Sequence, residues 1–405
     1  MSLITVEDAV ALIRENSPVY EAELCPLRES FGHVLREDLR SQRCHPPFDR
    51  VAMDGISISF ADWEAGCKSF KVAGVHGAGQ EPPVLTEKDS CFEVMTGSVL
   101  PQKTDCVIPY ERLSITAGVA TLEDGLELTL RQNIHGLASD HEADTLLVPK
   151  GSVLKTAQIS VAATEGKAEV LVSRLPKVTV LSTGDELVDV DQEVLPWQIR
   201  RSNSYSIVSA LKAQGFEAQD CHMDDDKEVI RETLTKALAE SDILIMSGGV
   251  SMGKFDFIPQ ILEELNVTKH FHKIAQRPGK PMWFGSQGEK TVFALPGNPV
   301  STLVSFHRYV LPQILESLQI KEIIRPKVRL SEDITFKKSM VYFHPVALNF
   351  SADGALLGSP RKTNGSGDFA SLCESQGFVE LPADQTVFKA GKAYDFYSWN
   401  SFYEF

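Results

Sequence analysis

The 405-residue chain lacks three things: cysteines spaced as Cys-x-x-Cys, an apolar run long enough to cross a bilayer, and an excess of positive charge. Each absence removes a class of function. The seven cysteines (Cys25, Cys44, Cys67, Cys91, Cys106, Cys221 and Cys373) are odd in number and scattered, so neither a zinc knuckle nor a thioredoxin-like redox site is suggested. Reduced thiols in a cytoplasmic protein are expected. Nothing approaches the roughly 18 consecutive apolar residues of a membrane span. The opening MSLITVEDAVALIREN carries acids where a signal peptide would carry bases, so no signal peptide is expected. Forty Lys and Arg against 55 Asp and Glu leave a net charge of −15, which argues against a general nucleic-acid binder. An anionic small-molecule substrate stays open, because a few placed cations can outweigh a distant acidic surface. No internal repeat or low-complexity tract stands out.

What is present is an ordinary globular composition, 43% apolar and 23% charged. At about 150 residues per domain, the length suggests two to four domains. An N-terminal helix is expected, with Thr5 as cap, Asp8 three residues on, and Val6, Val10, Leu12 and Ile13 on the apolar side. Residues 41–140 read as β-rich, with a hairpin of Val119 to Leu122, a Glu123-Asp124-Gly125 turn, and alternating Leu126, Leu128 and Leu130. Gly74, Gly77, Gly79 and Pro82-Pro83 mark loops there. Helix-like patterning returns over 141–172, so the β-rich part reads as an insertion into an N-terminal lobe of 1–40 plus 141–172. From 173 to 324, short apolar strands alternate with amphipathic helices, the signature of a parallel α/β sheet covered on both faces. Residues 325–405 read as another β module.

The central region repeats one pattern three times, an apolar strand followed by a Gly-containing polar loop. The loops are Ser182-Thr183-Gly184-Asp185-Glu186, Ser247 through Ser251 to Gly253, and Pro296-Gly297-Asn298-Pro299. In an open α/β sheet such loops gather beyond the carboxyl ends of the strands, where ligands bind. Glycines there let backbone N–H groups approach phosphate oxygens. Glu186, Asp225 and Asp256 adjoin these strands, and carboxylates beside phosphate suit Mg²⁺. Asp226 is placed to cap the helix that starts at Lys227, which leaves Asp225 freer for a ligand. Gly248-x₄-Gly253-Lys254 imitates a phosphate-binding P-loop, but Phe255 replaces the required Ser or Thr and Pro259 follows, so a P-loop nucleotidase is excluded. Lys273, Arg277 and Lys280 cluster around a rigid Arg-Pro-Gly-Lys-Pro turn and could hold an oxyanion. Cys44-His45, His270-Phe271-His272 and His307 read as packing residues rather than metal ligands.

Taken in order, FDRVAMDG (48–55), MTG (95–97), VLSTGDEL (180–187), SGGVSMGKFD (247–256), RPGKP (277–281) and LPGNPVS (295–301) resemble the molybdopterin molybdenumtransferase family, to which the E domain of gephyrin is related. TNGSGD (363–368) adds a weaker match. The resemblance implies a homodimer of four-part chains: the N-terminal lobe, an inserted domain over 41–140, a molybdopterin-binding α/β domain over 173–324 and a C-terminal β-barrel over 325–405. It implies insertion of molybdate into adenylylated molybdopterin with Mg²⁺-dependent release of AMP, alongside other proteins of molybdenum cofactor biosynthesis. The catalytic residues it implies are Asp54, Glu186, Asp225 and Asp256, with Glu186 and Asp256 on the metal. Thr96, Asp140, Ser251, Lys273, Arg277, Lys280, Pro296 and Pro299 would bind substrate. This chain departs from the family pattern at Val51 (often Ser), Lys254 (commonly an acid), Arg277 (often Lys) and 135–140, where only Asp140 matches the family's acid. A catalytically weakened molybdopterin-binding or gephyrin-like scaffold is therefore the competing reading.

Overall fold

A computed structural model describes residues 3–249 and 257–400. The chain folds as two compact units, unit 1 (Met1–Glu37, Lys150–Ile159 and Ala168–Phe405) and unit 2 (Asp38–Pro149 and Ser160–Lys167). Unit 1 opens with helix α1 (Val6–Glu15), whose Thr5 side chain accepts the Asp8 N–H at 3.0 Å, as the sequence spacing requires. Val6, Ala9 and Ile13 on its inner face are buried in the largest core of the unit.

Unit 2 is built on a six-stranded sheet of β1 (Gly55–Ile58), β2 (Ser69–His76), β3 (Ser90–Val94), β4 (Cys106–Pro109), β5 (Leu113–Thr116) and β6 (Val119–Leu122). The strand order is β4-β1-β3-β2-β6-β5. The expected hairpin lies one strand earlier than the alternating leucines suggested. Ala117 and Gly118 both have positive φ, the signature of a two-residue hairpin turn, and they join β5 to β6. Leu126 and Leu128 are buried from a loop instead, so their alternation reports core contact without strand pairing. Gly74 sits inside β2 at a register shift rather than in a loop. The 141–172 stretch is only partly helical, over Thr156–Thr164. Its branched runs Leu146–Val148 and Glu169–Ser173 pair with Leu39–Arg40 and Ala22–Pro26.

The central sheet of unit 1 contains β7 (Val178–Thr183), β8 (Ala218–Met223), β9 (Ile243–Ser247), β10 (Thr268–His272), β11 (Trp283–Gln287) and β12 (Lys290–Leu295), in the order β8-β7-β9-β12-β11-β10. The first four run parallel, and β11 and β10 extend the sheet antiparallel. Successive residues feed opposite faces. Val178, Val180, Ile243, Ile245, Phe293 and Leu295 join one core, while Leu181, Leu244, Met246, Val292 and Ala294 join the other. Helix α2 (Asn203–Ala213) covers the first face through Ile207 and Leu211. Helices α3 (Lys227–Glu240) and α4 (Ile258–Glu264) cover the second. Asp226 caps α3, accepting from Glu228 and Val229 N–H groups at 2.9 and 3.1 Å. Helix α5 (Pro299–Ser305) follows β12 directly.

The C-terminal sheet closes into a barrel of β13 (Lys327–Leu330), β14 (Val341–Phe350), β15 (Leu356–Pro360), β16 (Gly377–Leu381) and β17 (Ala393–Ser398). Pairing of β14 with β16 completes the ring. His307 is buried as packing logic required, and burial pushes its imidazole down to about 4. No helix among the described residues is long and apolar enough to cross a membrane.

Gly55 lies between β3 and β4 at a position with no room for a side chain. A Cβ there would stand 1.9 Å from the Ile108 carbonyl oxygen. Gly55→Ala is expected to cost about 3 kcal/mol or more, because backbone rather than a flexible side chain must move. Thermal unfolding checks this, and a midpoint equal to the parent protein's would contradict it.

Candidate active site

Three strand ends meet in unit 1. The loops after β7, β9 and β12 line a cavity of about 1000 Å³ through Ser182, Thr183, Gly184, Glu186, Ser247, Gly248, Gly249, Pro296, Gly297, Asn298 and Pro299. Asp225, just past β8, lines it as well. One side chain joins two of the loops. Asn203, at the start of α2, donates through Nδ2 to Ser247 Oγ at 2.8 Å and to the Gly297 carbonyl at 2.7 Å. Gly248 N–H donates to the Leu295 carbonyl at 3.1 Å. Gly248 and Gly249 have positive φ, and a Cβ on Gly249 would meet Ile258 Cδ1 at 2.3 Å, so a side chain there would strain the backbone and have to displace Ile258.

The carboxylates are held differently. Asp225 accepts Thr183 Oγ1–H at 2.6 Å, and its own N–H donates to Asp185 at 2.9 Å. Glu186 folds back over Gly184, whose absent Cβ position lies 2.6 Å from Glu186 Oε2. Arg201 also lines the cavity but spends its terminal nitrogens on Asp189 and Asp220 at 2.9 and 3.0 Å. Hydrogen bonds from Arg201, and then from Tyr205, hold the Asp189 carboxyl far below its ordinary range. Among the described residues, no group of three or more His, Cys, Asp or Glu could hold a metal ion by itself. Glu186 and Asp225 both line the cavity, and Mg²⁺ commonly takes one or two protein carboxylates and completes its shell with phosphate and water.

A second cavity of about 710 Å³ shares Pro281, Pro296 and Asn298 with the first. Arg277 and Lys280 line it, joined by Lys338, Ser301, Asn364 and Ser366. Its basic turn is propped from below by buried Gln276, whose Nε2 donates to the Pro278 and Gly279 carbonyls at 3.2 and 3.1 Å while Oε1 accepts from Tyr309. Asn298 Nδ2 donates to Ser366 Oγ at 2.8 Å, tying the β12 loop to the loop before β16.

In unit 2, Asp54 and Thr96 meet across 42 residues of chain. Asp54 Oδ1 accepts the Thr96 N–H at 2.6 Å and the Thr96 hydroxyl at 2.8 Å. The backbone bond first, and the side-chain bond second, hold the Asp54 carboxyl below its usual range. Asp140 accepts from His135 Nε2 at 2.9 Å, and His135 Nδ1 accepts from Arg50 at 2.8 Å.

The structure thus gathers Glu186, Asp225, Pro296 and Pro299 at the first cavity and Arg277, Lys280 and Pro296 at the second. Lys273, grouped with those cations by sequence, lines neither of these two cavities. Asp54, Thr96 and Asp140 belong to unit 2. Ser251, Lys254 and Asp256 fall outside the described residues. Sequence reasoning missed Asn203 and Lys338, and did not single out Ser301 and Ser366 although they lie within the LPGNPVS and TNGSGD segments. For Asn203 the local signal was the Ser202-Asn203 pair opening a helical pattern, since short polar residues mark helix starts.

Residues 4–166 match the family model described as MoeA N-terminal region (domain I and II), 179–316 match a probable molybdopterin binding domain, and 327–399 match MoeA C-terminal region (domain IV). A molybdopterin molybdenumtransferase of Synechocystis is 38% identical over 400 residues, covering 98% of this chain and all of the relative. One from Staphylococcus epidermidis is 30% identical, covering 97% of this chain and 94% of its own. The crystal structure of a molybdopterin biosynthesis MoeA protein from Pyrococcus horikoshii superposes with a TM-score of 0.83 at 29% identity, covering 99% of this chain and all of the other.

Thr96→Val removes the hydroxyl donor and keeps the N–H, so the Asp54 carboxyl is expected to titrate closer to the ordinary carboxylate range. A depressed carboxyl stabilises the fold above its unfolded pKa and loses that contribution as pH falls through the folded value. In the variant that contribution is smaller, and its loss is complete at higher pH. Carbon-13 NMR titration of Asp54 reads the shift directly, and an unchanged midpoint would contradict it.

Proposed function

Because the chain belongs to the molybdopterin molybdenumtransferase family, we propose that its two adjoining cavities hold the two substrates of molybdenum insertion. The protein is a transferase of molybdenum cofactor biosynthesis. The observation that carries the assignment of substrates to cavities is the separation of charge. Carboxylates, glycine-rich turns and two arginines line the larger cavity, Arg200 bonded to the Val190 and Gln192 carbonyls and Arg201 to Asp189 and Asp220. Arg277, Lys280 and Lys338 line the smaller one with no acid among its described lining residues, and both share Pro281, Pro296 and Asn298.

In this reading, adenylylated molybdopterin lies in the larger cavity with its bridging phosphates against the Gly184, Gly248 and Gly297 turns. Backbone N–H groups there favour negative charge without lengthy side chains having to be ordered. Glu186 and Asp225 would hold Mg²⁺, with Asp256 as the third acid implied by the family. Bound there, Mg²⁺ supplies neutralisation of phosphate charge as AMP leaves. Molybdate occupies the smaller cavity. Arg277 presents a planar fork and Lys280 a point charge, and Ser301 and Ser366 offer hydroxyls to oxyanion oxygens. Asn203 holds the loops in register, so these donors are aligned before substrate arrives.

The reading includes cytoplasmic operation as a homodimer, in which Asp54 serves catalysis and Thr96 and Asp140 serve substrate binding. It retains the four-part division of the chain into 1–40 with 141–172, 41–140, 173–324 and 325–405. The scaffold alternative is not favoured, because the relatives matched over their whole length are named as transferases.

The direct test supplies adenylylated molybdopterin, molybdate and Mg²⁺ and follows AMP release. Glu186→Gln is expected to slow release at least about 100-fold, as loss of a single charge-stabilising group does in preorganised sites. A rate equal to the parent protein's would overturn the assignment. Arg277→Ala is expected to raise the molybdate KM by roughly 10-fold or more, the worth of one charge-assisted hydrogen bond. Its affinity for AMP should not change.

A further inference from the structure

Breaking a phosphate bridge with water leaves a proton to be placed, and one pair at the cavity is built to take it. Ser182, the penultimate residue of β7, lines the larger cavity and is 2% exposed. In the parallel register it faces His222 of β8. Its Oγ lies 3.0 Å from His222 Nδ1, nearer than the alternative acceptor, the Cys221 carbonyl at 3.5 Å. The far side of the imidazole points outward, with Nε2 at 4.0 Å from Asp224 Oδ1 and that carboxylate 74% exposed. The contact therefore runs from cavity wall to solvent.

We propose that Ser182 and His222 form a proton relay for the cleavage that releases AMP. This rests on the reading of the larger cavity as the seat of the adenylyl bridge. A water oxygen bonds to phosphorus, the bridging P–O bond breaks, and its electron pair leaves on the bridging oxygen. The water's proton passes to Ser182 Oγ as that hydroxyl's own proton moves to His222 Nδ1. His222 Nε2 then sheds a proton to solvent. Ser182 touches the reacting water, and His222 acts through it as a positioning residue and proton acceptor.

Three other acids of the neighbourhood, Asp225, Asp220 and Asp189, are already engaged. Asp225 receives the Thr183 hydroxyl at 2.6 Å. Asp220, two residues before His222 on the same strand face, is bound by Arg201 at 3.0 Å and by Ser204 Oγ at 3.4 Å. Arg201 is shared with Asp189, which also accepts from Tyr205 at 2.6 Å. On the imidazole's own strand Asp220 is engaged by Arg201, and Asp224 faces the ring with its Oδ1 4.0 Å from Nε2.

The test measures AMP release from adenylylated molybdopterin, with molybdate and Mg²⁺ present, over about pH 5 to 8, the range in which histidine side chains commonly change charge. The parent protein is expected to lose rate toward the acid end of that range. His222→Gln, which can still hydrogen-bond to Ser182, and Ser182→Ala are each expected to be about 100-fold slower. Both should lack the acid limb while binding AMP with unchanged affinity by calorimetry. Parent-like rates in His222→Gln would overturn the relay, as would slowed rates that keep the parent's pH profile, since those mark a structural role. A parent protein without an acid limb would overturn it too. A parent protein that releases no AMP would overturn the proposed function along with it, whereas an active parent beside an equally active His222→Gln overturns the relay alone.

Discussion

A parallel strand buried on both faces has no water to satisfy its backbone, so every N–H and C=O must pair with a neighbouring strand until the strand ends. In this protein β7, β9 and β12 run side by side under that constraint, and they end together. Where the ladder stops, the glycine turns are brought to one edge of the sheet. The cavity follows from that shared ending. The contribution of Asn203 is to keep it in one shape, since its single amide bridges Ser247 Oγ and the Gly297 carbonyl. Without such a link, loops that touch the sheet only at their roots would sample several arrangements.

The charge of the chain acquires a local meaning in this setting. A net −15 would repel a dianion approaching an average patch of surface. Screening limits that repulsion to about 8 Å at physiological ionic strength. Within that distance, Arg277, Lys280 and Lys338 outweigh distant acids, and the buried Gln276 amide keeps the basic turn rigid. The acids at the larger cavity are placed for a different purpose, since they can act on phosphate only with a cation between them. In the proposed assignment, two anionic substrates are received by two different devices, one of glycine turns and carboxylates and one of side-chain cations.

Most of the framework was legible in the sequence because it rests on local rules. The Thr5 cap, the Asp226 cap and the β7, β9 and β12 strands follow from composition within a few residues. The three glycine loops were legible for the same reason. What stayed hidden depends on contacts across long stretches of chain. Asn203 meets partners 44 and 94 residues away, and Lys338 reaches the basic turn from the barrel. The misplaced hairpin shows the limit from the other side. Leu126 and Leu128 alternate as a strand would, yet they fill the core from a loop, because burial rewards apolar side chains whatever the backbone does. Lys273 was grouped with Arg277 by nearness in sequence, but its positive φ at 85° turns the chain before the basic turn begins.

The assignment of one substrate to each cavity is the claim on which the rest depends, and anomalous diffraction tests it most directly. Crystals of the protein equilibrated with molybdate and AMP should show a single molybdenum peak between Arg277, Lys280 and Ser301, with the AMP phosphate against Gly184 and Gly248. A molybdenum peak beside Glu186 and Asp225, or AMP seated on the basic turn, would contradict the account.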